Sequence, residues 1–217
     1  MNCLLVAATA KEIAPFLENY RNQQNRWPDN LNIDVLITGI GMTATTYHIT
    51  KQFSIKRPDL VFQAGVGGCF DTCIPLGKVV VVKQEAIADQ SVIELNQLKT
   101  LFDLKLVPQD QFPFKKGWLI NNSEILKKIS LKKVKGISVN EITTSKQKVK
   151  FYTETFNPVV ESMEGAALHY VCLMEKIPFI QLRAVSNYIA ERNKKNWNMK
   201  ESILNLNKEI IKLLNNL

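Results

Sequence analysis

The sequence predicts an α/β fold, a single sandwich in which strands and helices alternate around a largely parallel or mixed sheet. Three observations predict it. Continuous apolar runs, such as Cys3-Leu4-Leu5-Val6-Ala7-Ala8 and Val79-Val80-Val81-Val82, have the pattern of strands buried on both faces. Between the runs lie stretches with the 3.6-residue period of amphipathic helices. Two glycine-rich junctions, Gly39-Ile40-Gly41 and Gly65-Val66-Gly67-Gly68, follow predicted strands.

The first strand leads directly into a helix, because Ile13, Phe16, Leu17 and Tyr20 recur at i, i+3, i+4 and i+7. Thr9-Ala10-Lys11-Glu12 has the T-x-x-E form of a capping box ahead of it. Residues 21–30 are polar and turn-like, and 33–38 read as a second strand. After Gly39-Ile40-Gly41 a helix is expected over 42–53, then a strand over 60–64 that ends at the second glycine run. A loop with Pro75 and Gly77 precedes the strand of four valines. From 85 to 135 the period is weak and the charge high, so only an excursion with surface helices is expected there. Residues 136–139 read as a short strand. Pro158-Val159-Val160 leads into Glu161-Ser162-Met163-Glu164-Gly165-Ala166-Ala167, where a helix is expected to begin, with Met163, Ala166, Ala167, Tyr170, Val171 and Met174 as its apolar stripe. It should end before Ile177-Pro178. Residues 179–185 form the next strand, with Ser186-Asn187 at its C-terminal end. A last helix is expected from Asn198, with Ile203, Leu206, Ile210, Leu213, Leu214 and Leu217 on one side.

A chain of 217 residues, 46% hydrophobic and 22% charged, is long enough to bury one substantial core. Residues 1–217 are therefore expected to form a single domain. No apolar run approaches the roughly 18 residues a membrane span needs, and the first stretch lacks the length and basic flank of a secretory signal, so a cytoplasmic location is expected. The net charge of +8 comes from lysines spread along the chain without interleaved aromatics. That pattern fits a solvated surface better than a nucleic-acid face. Cys3 and Cys172 sit in apolar runs, and Cys69-x-x-x-Cys73 has no second ligand pair nearby, so inert thiols are expected and no metal.

Gly39-Ile40-Gly41-Met42-Thr43-Ala44 fits the G-x-G-x-x-A form of a dinucleotide site, but the next strand ends in Gln63-Ala64-Gly65, with no acid for a ribose hydroxyl. A tight turn accounts for the glycines. No P-loop motif is present. Ligands in α/β sheets bind beyond the carboxyl ends of strands, and Glu12, Gly39 to Gly41, Gly65 to Gly68, Glu164 and Asn187 all fall at such ends. Two carboxylates, two glycine junctions and an amide suit a polar, sugar-bearing ligand.

With these segments in order, the sequence resembles the nucleoside phosphorylase and nucleosidase superfamily that includes methylthioadenosine nucleosidase. The likeness rests on residues 8–13 with Glu12, Gly39-Ile40-Gly41-Met42, Gly65-Val66-Gly67-Gly68, the 161–167 segment and Arg183-Ala184-Val185-Ser186-Asn187-Tyr188. The Met-Glu-Gly-Ala-Ala segment, the Ser-Asn-Tyr strand end, Arg192 and Trp197 make it similar to the futalosine hydrolases of menaquinone biosynthesis. The resemblance implies a three-layer α/β/α sandwich with a central mixed sheet, a homodimer or homotetramer, no cofactor, and a small nucleoside, futalosine, as the partner.

It also implies roles. Glu12 matches the water-activating carboxylate, although its position also allows it to act only as the capping-box residue. Glu164 matches the carboxylate that accepts hydrogen bonds from the ribose 2′- and 3′-hydroxyls, with Met163 packed on the sugar. Val66 and Gly67 match the loop beside the sugar, Ile40 and Gly41 line the same end of the sheet, and Ile142 and Thr143 fall near the purine wall. Asn187 stands where adenine-acting members keep an Asp that protonates purine N7. An amide cannot donate a proton, but it can donate hydrogen bonds to N7 and to a 6-oxo group, which favours hypoxanthine or guanine over adenine. Alternatively, it only caps a turn. Arg192 and the following lysines would meet the carboxylate of futalosine. Phosphorolysis is the rival reaction, and a nucleoside-binding protein without turnover is a third possibility.

Overall fold

A computed structural model describes residues 1–22, 27–28, 30–189 and 193–217. The chain builds β1 (Asn2–Ala7), α1 (Ala14–Arg21), β2 (Asn32–Ile37), α2 (Met42–Ile55), β3 (Leu60–Cys69), β4 (Val79–Ile87), β5 (Ser91–Glu94), β6 (Gln97–Thr100), β7 (Phe114–Lys115), β8 (Trp118–Ile120), β9 (Lys133–Ser138), α3 (Lys146–Phe156), β10 (Val160–Ser162), α4 (Gly165–Met174), β11 (Phe179–Tyr188) and α5 (Met199–Leu214). Parallel pairs β1–β2, β1–β3 and β3–β11 form the open half of a mixed sheet. The other half closes on itself, since β11 pairs antiparallel with β4, β4 parallel with β9, β9 parallel with β10, and β10 antiparallel with β3.

Strand alternation sorts the core into layers. Cys3, Leu5 and Ala7 of β1, Leu60, Phe62 and Ala64 of β3, and Ile180, Leu182 and Ala184 of β11 face Phe16 of α1 and Leu206, Ile210 and Leu214 of α5. Their neighbours Leu4, Val6, Val61 and Phe179 face Ile49 and Phe53 of α2 and Leu168, Val171 and Cys172 of α4. Val80, Val82, Val134, Val160, Val185 and Cys69 share a third cluster that joins the closed strands. The three-layer expectation from the sequence thus corresponds to two helical layers on a mixed sheet. Among the described residues no helix is long and apolar enough to cross a membrane.

Four local expectations are corrected. The helix expected from Glu161 begins at Gly165, because Glu161 and Ser162 pair as β10 with Ile137 and Ser138 of β9. Its apolar stripe is also rotated: Tyr170 and Met174 are exposed, while Leu168, His169 and Cys172 are buried. The glycine run 65–68 lies inside β3 and does not end it, since β11 pairs beside it, across one bulge, as far as Tyr188. From 85 to 135 the chain forms the end of β4, the β5–β6 hairpin, β7 and β8, and one 3-10 turn at Glu124–Lys128, in place of surface helices. Helix α3 had no counterpart in the sequence reading. Its lysines masked a short stripe of Tyr152 and Phe156, capped by Ser145 at one end and by Asn157 in the left-handed region at the other.

Candidate functional site

The carboxyl ends of β1, β2, β3 and β11 share one side of the sheet because the four strands are parallel. Glu12 lies on the turn after β1. The backbone N–H and hydroxyl of Thr9 donate to its Oε2, both at 3.0 Å. Its other oxygen, Oε1, accepts from the Val66 backbone N–H at 3.1 Å. The helix itself starts later, with Ile13 at the N-cap, so Thr9 and Glu12 close a turn ahead of α1 and do not cap the helix. Asn207 of α5 donates to the Glu12 carbonyl at 2.8 Å and accepts from Phe16 N at 3.0 Å, which fastens that turn to the opposite end of the chain.

Glu164 is the N-cap residue of α4, yet its side chain does not cap it. The first-turn N–H groups are taken by serines from neighbouring strands, Gly165 N by Ser162 Oγ at 3.2 Å and Ala166 N by Ser138 Oγ at 2.8 Å. Its carboxylate is therefore free to point away from the helix. Gly41 N donates to Oε1 at 3.2 Å and Arg183 Nη2 lies 3.4 Å from Oε2. Gly39 and Gly41 have φ of 81° and 97°, so the G-x-G turn needs glycine for its backbone and presents an N–H to a carboxylate.

Arg183 pairs with the second acid and comes close to the first. Its side chain is 2% exposed, and besides Glu164 it donates from Nη2 to Gln63 Oε1 at 3.0 Å. A Cβ on Gly65 would stand 2.3 Å from Arg183 Nη1 and 3.0 Å from Glu12 Oε1, so only a glycine lets the guanidinium and the first carboxylate converge there. The next glycine has its own reason: a Cβ on Gly67 would meet the Glu161 carbonyl at 2.8 Å. Sequence reading placed glycine N–H groups against a ligand. In the structure, the N–H groups of Val66 and Gly41 in these runs hold Glu12 and Glu164 instead.

Asn187 follows a bulge in β11 between Val185 and Asn187. Ser186 Oγ, which lies 3.2 Å from the Gly67 carbonyl, is 2.9 Å from Asn187 Oδ1. Asn187 Nδ2 donates to the Tyr188 carbonyl at 3.2 Å, which leaves its second hydrogen for another acceptor. Thr143 is buried and its N–H donates to Glu161 Oε1 at 3.0 Å, so β10 anchors the 142–143 loop. Burial raises the Glu161 carboxyl above the usual carboxylate range, against the lowering effect of its hydrogen bonds with Thr143. Met163 is half-buried beside Glu164, whereas Ile40 and Ile142 are exposed. Arg192 lies outside the described residues.

The structure therefore brings Glu12, Val66, Glu164 and Gly41 into one connected cluster, and Gly67, Asn187 and Thr143 into the adjoining one. Sequence reasoning missed Arg183, Gln63 and Glu161 as its connectors. The signal was present: Gln181 and Arg183 interrupt an apolar strand at alternate positions, which puts both on one face.

Residues 29–215 match the family model described as Phosphorylase superfamily. Futalosine hydrolase from Thermus thermophilus is 26% identical over 216 residues, spanning 97% of this chain and 94% of that protein. The 5′-methylthioadenosine/S-adenosylhomocysteine nucleosidase of Buchnera aphidicola is 24% identical over 164 residues, spanning 72% of this chain and 67% of its own. Among solved structures, futalosine hydrolase of Helicobacter pylori superposes with a TM-score of 0.80 at 19% identity, covering 100% of this chain and 98% of that one. The methylthioadenosine nucleosidase of the same organism gives the same score and identity, covering 100% and 99%. These neighbours share the fold, and their names divide between two nucleosides.

Proposed function

The chain belongs to the phosphorylase superfamily, and from that premise we propose that it hydrolyses the N-glycosidic bond of futalosine to hypoxanthine and dehypoxanthine futalosine. The observation that carries the reading is the pair of carboxylates at one end of the sheet, Glu12 held by the Val66 N–H and Glu164 by the Gly41 N–H and Arg183. One carboxylate serves water and the other serves the sugar. Glu12, held by Thr9 and Val66, orients a water toward the anomeric carbon and takes its proton. The water oxygen bonds to that carbon as the bond to N9 breaks, and the electron pair leaves with the base. Glu164 accepts from the 2′- and 3′-hydroxyls, and Met163, Val66, Gly67, Ile40 and Gly41 surround the ribose. Positive charge that develops on the sugar is opposed by both carboxylates.

The hydrogen that Asn187 does not give to Tyr188 is donated to the leaving base, shared between N7 and the 6-oxo group, and Ile142 and Thr143 form its wall. A 6-oxopurine spreads the incoming electron pair onto its oxygen, so a hydrogen-bond donor there stabilises departure without a carboxylic acid. This preference distinguishes futalosine from methylthioadenosine as substrate. Water is favoured over phosphate because Arg183 is engaged by Glu164 and Gln63, and Arg57 by Glu175 on the surface. Arg192 is assigned to the futalosine carboxylate, and Arg192→Ala should raise the KM for that substrate.

The reading includes a place in menaquinone biosynthesis, a cytoplasmic location and a homodimer or homotetramer. Exposed Tyr47 and Ile55 on α2, and Tyr170 and Met174 on α4, supply apolar surface for the assembly. The deciding experiment is base release from futalosine, inosine and methylthioadenosine, each with and without phosphate, followed by chromatography. Hypoxanthine from futalosine without phosphate is the expected result. Adenine release from methylthioadenosine in preference would shift the substrate, and dependence on phosphate would make the reaction phosphorolysis.

A further inference from the structure

Behind the site lies a buried polar cluster that the proposed chemistry does not use. Glu85 of β4 is 1% exposed, and one oxygen, Oε1, accepts from the Ser138 hydroxyl at 2.9 Å. Ser138 in turn accepts from the Ala166 N–H in the first turn of α4, at 2.8 Å. Since Ser138 has one hydrogen and spends it on Glu85, the two bonds fix its hydroxyl in a single orientation. The carboxyl also occupies a seat made by two glycines. A Cβ on Gly136 would stand 2.6 Å from Glu85 Oε2, and one on Gly165 would stand 2.7 Å from the same atom. Gly165 immediately follows Glu164, the residue assigned to the ribose diol.

We propose that Glu85 is a positioning residue for Glu164, acting through Ser138 and the two-glycine seat beneath the first turn of α4. The inference rests on the reading of Glu164 as the ribose-binding carboxylate. Its physical basis is that Glu164 precedes the helix with φ of −131°, outside the helical region, so nothing in the helix itself sets its direction. The first turn must be located by what it stands on. Ser162 and Ser138 hold its N–H groups, and Glu85 is what orders Ser138.

Burial, against the pull of Ser138, Arg183 and Gln181, favours the neutral acid. Glu85 Oε2, both polar atoms of the Gln181 side chain, and His169 Nε2 are buried without a partner at hydrogen-bond distance. Gln181 stands beside the acid, since a Cβ on Gly165 would lie 2.3 Å from Gln181 Nε2 and 2.7 Å from Glu85 Oε2. His169 Nδ1 sits 3.0 Å from the Leu119 carbonyl, so the neutral ring keeps its hydrogen on Nδ1 and offers Nε2 as an acceptor. Burial pushes Glu85 up to about 7 and His169 down to about 4. With Glu85 neutral, the charge of Arg183 is left to Glu164 rather than shared between two acids.

The test compares steady-state hydrolysis by wild type, Ser138→Ala, Glu85→Ala and Glu85→Gln, with crystal structures of the wild type and the Ser138 variant. Expected is a rise in KM of roughly ten-fold or more for Ser138→Ala and Glu85→Ala, as for residues that orient a ligand-binding group. Glu85→Gln, which retains the acceptor for Ser138, should restore most of that loss. A merely structural role would lower the folded fraction, and so the apparent kcat, at unchanged KM. KM within about twofold of wild type in both truncations would overturn the proposal. Wild-type protein that releases no base from any nucleoside would refute the proposed function instead. The crystal structures then decide alone: Glu164 displaced from Gly41 N in Ser138→Ala supports positioning, and Glu164 unmoved overturns it.

Discussion

Arg183 Nη2 lies 3.4 Å from Glu164 Oε2, in a pair whose side chains are 2% and 8% exposed. So buried a pair stabilises little by itself, because desolvation of both charges offsets most of their attraction. Removing one partner is different, since it leaves an uncompensated charge in the core. Arg183→Met and Glu164→Gln should therefore each destabilise the chain strongly, by about 3–5 kcal/mol for the arginine change. The double variant should lose clearly less than the sum. Urea unfolding of the four proteins measures the coupling, and additive losses would mean that the two groups do not pair in solution.

Glu12 divides two roles between its two oxygens, Oε2 closing the Thr9 turn and Oε1 facing Val66 at the strand end. Glutamine can still accept at one of these positions but cannot take a proton from water. Glu12→Gln is expected to lower kcat by roughly 10²-fold or more, with a thermal midpoint close to wild type. Comparable losses in both would reduce Glu12 to its turn-closing contact.

For Asn187 the informative change is to aspartate, which keeps the acceptor that faces Ser186 Oγ and replaces the amide donor. The proposed base contact then reverses, and kcat/KM for adenine nucleosides relative to 6-oxopurine nucleosides should rise by about 1–3 kcal/mol. Competition between inosine and methylthioadenosine reads this directly. An unchanged ratio would leave Asn187 with only its local bond to Tyr188.

Much of this arrangement was legible in the sequence because its strands are long and apolar and lie at the centre of the sheet. β1, β3, β11 and α5 announce themselves by period, and the residues at their ends could be gathered from strand order alone. The 85–135 segment was opaque because its strands have two to four residues, too few to display alternation, and pair mainly with each other or with the end of β4. Arg183 was hidden for another reason. A single arginine in an apolar strand has no local partner, and its acid arrives from the start of α4, so only the folded sheet reveals the pair. The two readings of Glu12, turn residue and site carboxylate, could not be separated by sequence, and the geometry is compatible with both together.

The buried cluster behind the site should leave a signature in stability against pH. Burial pushes Glu85 from 4.5 up to about 7, so between these values the folded chain holds a proton that the unfolded chain has lost. Its contribution is fully present below pH 4.5 and is lost as pH rises through 7. His169 runs the other way, since burial lowers it from 6.5 to about 4. That contribution is present above pH 6.5 and is lost as pH falls through 4. From pH 4.5 to 6.5 the two slopes oppose, each limited to about 1.4 kcal/mol per pH unit. Removing either group should expose the other. Relative to wild type, Glu85→Gln should gain stability as pH rises from 4.5 to 7, and His169→Gln should lose it as pH rises from 4 to 6.5. Glu161, also raised by burial, acts equally in all three proteins and cancels in the differences. Urea midpoints at constant m-value across pH 4–7.5 provide the measurement. Three parallel curves would show that neither group changes its protonation on folding, and that the neutral form assigned to Glu85 is wrong.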